Sequence, residues 1–88
     1  MSGTKIGTVT HYYDRIMVAV IQLTGEIKLG DEIHILGRSV DFKQKVTSLQ
    51  VEHQSIQRAG PGQEVALQVI RPVRPPASVF LLDAEEAV

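Results

Sequence analysis

Cysteine is absent from these 88 residues, which removes both a disulfide framework and a thiolate metal site, and nothing in the sequence reports an oxidising compartment. Long apolar runs are absent as well. No stretch approaches the roughly 20 residues of a membrane span, and the opening "MSGTKIG" has no apolar run of the signal-peptide kind, so a soluble cytoplasmic protein is expected. A strong charge of either sign is missing: the formal net charge is -1, which argues against gripping nucleic acid by bulk electrostatics. Helical periodicity is missing too, for no segment sustains apolar residues at i, i+3, i+4 and i+7. No Ser/His/Asp order suggests acyl transfer, and catalysis is not expected.

What is present reads in period two. With 43% hydrophobic residues and a length below that of two domains, the chain should form one compact unit over residues 4 to 83. Residues 1 to 3 and the acidic tail 84 to 88 read as loose ends. A domain of this size buries only about 60 to 65% of the surface of its unfolded chain, so each core residue should matter. Candidate strands are residues 5–12, 15–23, 31–36, 40–53, 64–70 and 78–83, separated by Gly, Pro or Asp signals. Six short strands at near-regular spacing predict an all-β fold, a small closed six-stranded β-barrel, because so small a sheet must curl to hide its edges.

Two strands carry further information. In residues 40–53, Val40, Phe42 and Val46 share one parity whereas Leu49 and Val51 share the other, so the inward face must switch near Thr47 and Ser48; a β-bulge there would bend the strand around a corner. In "IMVAVI", residues 16–21, both parities are apolar although a barrel strand covers only its inner face. Packing beneath a loop or the proline-rich segment would explain this; so would an exposed strip around Met17 and Val18 that receives a partner or a second copy.

The stretch "GEIKLGDEIHILG", residues 25–37, has the glycine spacing of a phosphate-binding loop. Asp31 and Glu32 nevertheless stand where that loop needs a lysine and a hydroxyl, and two carboxylates would repel a nucleotide. The stretch suits a turn instead. Gly30 can take a positive φ, Asp31 can cap the corner, Ile27 and Leu29 can tuck inward, and Ile33 and Ile35 resume the alternation. The charges are uneven along the chain: Asp83, Glu85 and Glu86 sit in the last six residues, and without them nine basic side chains face seven acidic ones. Arg58, Arg71 and Arg74 are interrupted only by Glu64, which allows a mild basic patch. His11, His34 and His53 are too dispersed for a zinc site, and no metal or cofactor is expected. The tyrosines of "HYYDR", residues 11–15, either cover the first hairpin or offer faces to unpaired bases.

Gly7 and Val9 in "IGTV", then "GEIKLGDEIHILG", then "VTSLQVEHQSIQRAGPGQEVAL" resemble domain II of translational GTPases such as elongation factor Tu, over about residues 5 to 70. The resemblance implies a Greek-key-like barrel standing without a GTP-binding domain, so GTP binding is not carried over. It also implies noncatalytic contact with a translation component: a tRNA end, ribosomal RNA or a translation protein. In those factors the barrel holds the terminal adenosine of aminoacyl-tRNA, and an ungapped reading puts the corresponding positions on Gln50 and His53. A rigid barrel would present these together with Arg58 and Arg74 to the bound component. Gln50 could bond a ribose hydroxyl or base edge, and His53 could stack on a base. The sequence departs from that pattern at "VRPPASVF", where Pro72, Pro75 and Pro76 would stiffen an extended edge. The other class of function left open is a protein-interaction or accessory module that docks on an enzyme, or on itself, through the apolar face.

Overall fold

The computed structural model describes residues 3 to 82, so Asp83 and the expected tail lie outside the described residues, as do Met1 and Ser2. The described residues are all-β. Ten strands follow in order: β1 (Thr4–Tyr13), β2 (Val18–Leu23), β3 (Ile27–Lys28), β4 (Glu32–Gly37), β5 (Val40–Lys45), β6 (Gln50–Val51), β7 (Gln54–Ser55), β8 (Arg58–Ala59), β9 (Glu64–Gln68) and β10 (Ala77–Leu82). Six of them have five or more residues and fall where the period-two segments predict; the other four are two residues long.

Eight strands form one antiparallel sheet in the order β5-β4-β10-β1-β2-β9-β6-β7, and β3 pairs with β8 separately. The ladder does not return on itself, so the expected closed barrel is corrected to an open, curled sheet. A side chain spans the gap between the β5 edge and the end of β9. Gln44, 6% exposed, donates from Nε2 to the Gln68 carbonyl at 2.9 Å and accepts at Oε1 from the Ile70 amide at 2.9 Å. Ser48 Oγ accepts from the Gln68 amide at 3.1 Å beside it. These bonds stand in for a backbone ladder, and so the core is enclosed although the sheet is open.

Alternation fills that core. Ala19, Ile21 and Leu23 from β2, Ile33 and Ile35 from β4, Val40 and Phe42 from β5, Val65 and Leu67 from β9, and Val79 from β10 join one continuous cluster. The parity switch in residues 40–53 occurs as expected, with Val46 and Leu49 both buried, but the device is different. β5 ends at Lys45, residues 46–49 lie in no strand, and the chain then pairs with β9 instead of β4. A change of partner, not a bulge, makes this corner. The bulges are in β1, where the register shifts between Lys5 and Gly7 against β10 and between Val9 and His11 against β2. β2 also begins later than expected, because residues 14–17 turn and Met17 has a φ of 56°.

Both glycine-containing motifs are turns. Asp31 donates its amide to the Lys28 carbonyl at 3.2 Å with Gly30 at a φ of 90°, and Gln63 donates to Gly60 at 3.3 Å with Pro61 ahead of Gly62 at 88°. Positive φ at the third residue is the type II geometry that glycine satisfies, and Pro61 presets the second. The Asp31 carboxylate accepts from the Lys28 amide at 3.0 Å, which is the expected cap. Ile27 is buried, but Leu29 at 40% exposure is not, because it stands at the bend where the strand alternation stops. Residues 69–76 form an irregular connection pinned by buried Val69 and Val73, so the proline-rich segment is not an edge strand; β10 sits between β1 and β4.

Candidate functional site

The outward face of β2 is the first unusual surface. Ala19 and Ile21 point into the core, which leaves Val18 and Val20 half-buried on the outside, beside Ile16 at 60% and Tyr13 at 52% exposure. Aliphatic residues rarely occupy both faces of a strand unless both are covered. The outer side of "IMVAVI" is thus only half-covered, at Val18 and Val20.

A wall rises along one side of this face. Glu52 and His53 have φ values of 51° and 67°, and they link the paired residues Val51 and Gln54. Two successive left-handed residues between paired strands make a type I′ hairpin. Neither residue is glycine or asparagine, so the turn holds backbone strain of about 1 to 2 kcal/mol per residue.

β6 pairs with β9 only through Gln50 and Ala66. Continuing that antiparallel ladder would set Val51 beside Val65 and Glu52 beside Glu64, yet neither pair forms. Two carboxylates directly opposite one another repel, which gives a physical reason for the strands to separate there. The separation opens a groove of about 730 Å³. Tyr13 of β1, Ile16 of the following turn and Val18 and Val20 of β2 line it on one side, residues 50–53 of the hairpin on another, and Gln63 with residues 64–66 of β9 on the third. Its charged lining residues are Glu52 and Glu64; no lysine or arginine lines it.

The groove brings together three of the sequence-predicted residues, Gln50, His53 and Val18. Met17 is adjacent in sequence but engaged elsewhere, its sulfur accepting the Tyr12 hydroxyl at 3.0 Å. Arg58 lies in β8 and lines a separate depression with Lys28, Leu29 and Gln57, while Arg71 lines another with Arg38 and Phe42. Arg74 is exposed in the 69–76 connection. None of these three arginines lines the groove. The tyrosine pair divides: Tyr12 packs against the core and Tyr13 reaches the groove. Glu64 and Ala66 carried no sequence signal, since only strand separation makes them lining residues.

Among the described residues no group of three or more His, Asp or Glu side chains could hold a metal ion. His34 Nε2 lies 2.6 Å from Asp41 Oδ1 across β4 and β5, outside the groove lining. No helix of the described residues is long and apolar enough to cross a membrane.

This architecture is shared with a solved protein domain. The C-terminal domain of a putative U32 peptidase from Geobacillus thermoleovorans superposes with a TM-score of 0.84 at 25% identity, covering 89% of this chain and 91% of that one. Its selenomethionine variant gives 0.83, over 86% and 96%. In sequence the chain is similar to an uncharacterised protease of Methanocaldococcus jannaschii, 33% identical over 79 residues, 89% of this chain and 19% of the protease. It is likewise similar to a collagenase of Porphyromonas gingivalis, 33% identical over 85 residues, 94% of this chain and 24% of the collagenase. The chain thus spans about a fifth to a quarter of the curated relatives it matches. No protein-family model matches it.

These likenesses overturn the translation-factor resemblance and the binding of a translation component drawn from it. The physical reason lies in the motifs. "GEIKLGDEIHILG" and "RAGPGQEVAL" encode two type II turns and the alternating core strands beside them, which report how a small sheet bends and carry no ligand chemistry.

Proposed function

We propose that this chain is a noncatalytic accessory domain that works alongside a peptidase of the U32 kind and offers its apolar groove as a surface for protein. The observation that carries this reading is the superposition on nearly the whole of a domain at the C-terminal end of such a peptidase. Its relatives are named as proteases, and the segment they share with this chain is a minor part of each. The groove supports the reading chemically, because aliphatic side chains around two carboxylates suit a polypeptide and repel a phosphate backbone. The cytoplasm is the compartment we assign, consistent with a chain that has no cysteine to oxidise.

The test uses the purified chain and denatured collagen. Mass spectrometry of the mixture should detect no new peptide termini, while surface plasmon resonance should detect binding that Val20→Asp removes. Hydrolysis by the isolated chain would refute the noncatalytic reading.

A further inference from the structure

The wedge between the β6–β7 hairpin and β9 exposes a short piece of strand edge as well as a greasy floor. The odd-numbered residues of β9 turn their backbone groups to β2, an alternation that continues to the Leu23 amide on the Gln63 carbonyl at 2.9 Å, so the opposite edge consists of Glu64, Ala66 and Gln68. Ala66 pairs with Gln50 and Gln68 is bonded by Gln44 and Ser48, which leaves Glu64 without a ladder partner there among the described residues. Val51 on the facing strand turns its backbone to Gln54 within the hairpin and offers no edge. A free backbone N–H and C=O beside an apolar surface is where an extended chain adds, its backbone supplying affinity and alternate side chains supplying selectivity. Glu52 and Glu64 stand on the two walls. Between them, a cation is the complement that relieves their repulsion.

Resting on the accessory reading above, we propose that the groove binds an extended segment of a polypeptide substrate by strand addition at the free backbone N–H and C=O of Glu64, with an aliphatic side chain on Val18 and Val20 and a lysine or arginine between Glu52 and Glu64. Tyr13 and Ile16 close over the aliphatic anchor. The left-handed turn at Glu52–His53 holds the acidic wall in place without an additional strand.

Fluorescence anisotropy on the full chain tests this with four probes: a labelled peptide alternating leucine and lysine, its leucine–glutamate counterpart, the leucine–lysine peptide N-methylated at alternate amides, and a single-stranded RNA ending in CCA. The leucine–lysine peptide should bind at least tenfold tighter than the other three, and the double variant Glu52→Gln/Glu64→Gln should erase its advantage over leucine–glutamate. Val18→Asp tests the floor separately, with circular dichroism confirming that each variant is folded. Equal binding of the N-methylated peptide would overturn strand addition, and tighter binding of the RNA, or no binding of any peptide, would overturn the polypeptide occupant. Concentration-dependent self-association abolished by Val18→Asp would assign the groove to a second copy and also overturn it. Equal binding of the N-methylated peptide or self-association, with the chain still inert toward denatured collagen, leaves the accessory reading standing; preference for the RNA, no binding of any peptide or of collagen, or cleavage of the probe peptides would remove that reading itself.

Discussion

Among the described residues Gln44 is the one polar side chain buried with the core, and both ends of its amide are used. Neutral hydrogen bonds contribute modestly when made and cost more when a buried partner is left alone, about 1 to 3 kcal/mol. Gln44→Leu has a similar volume but strands the Ile70 amide and the Gln68 carbonyl. It should lower unfolding stability by about 2 kcal/mol in a urea titration, which for a domain of this size is a loss of about 10 °C in Tm. An unchanged midpoint would show that water replaces the amide at this seam. The sequence marks Gln44 only as an even-parity residue on a strand whose other even positions are apolar, and period two alone does not say what a polar residue there would bond.

Among the elements, the turns divide into those whose residues match their geometry and one whose residues do not. A Cβ on Gly30 or Gly62 would meet nothing within 4 Å, so an alanine at either position tests backbone conformation without a steric clash. Gly30→Ala and Gly62→Ala should each cost about 1 to 2 kcal/mol by thermal unfolding. The hairpin at Glu52–His53 is the opposite case. Replacing the pair by Asn-Gly, which accepts both left-handed positions, should raise stability by about 1 kcal/mol or more. The same replacement removes the Glu52 carboxylate and should weaken selection for a cationic peptide. A gain in stability with a loss in selectivity would tie the strain to function.

For the whole molecule, the decisive features are an enclosed core, an unclosed sheet and one uncovered apolar face. Val20→Asp puts a charge in the groove but not in the core, so it should leave Tm within a few degrees while abolishing binding to denatured collagen. Loss of the fold instead would mean that the outer side of β2 is structural. At this scale the likeness to a peptidase domain displaces the likeness to a translation factor, since a superposition with a TM-score of 0.84 over 89% of this chain and 91% of that domain outweighs three short motifs. Gln50, His53 and Val18 were legible as candidates, and they do converge; Arg58 and Arg74 were equally legible and are carried elsewhere.

Alternation, turn residues and the parity switch are local properties, and they were enough to determine an all-β chain, six principal strands, two glycine turns and most of the core. Partner choice is not local. Only the tertiary structure decided that β10 enters between β1 and β4, that the chain leaves β4 for β9 after Lys45, and that β6 parts from β9 after one residue pair. Whether a sheet closes, and where its free edges lie, depends on contacts between residues far apart in the chain, and period-two patterning is the same for a strand on either side of an opening.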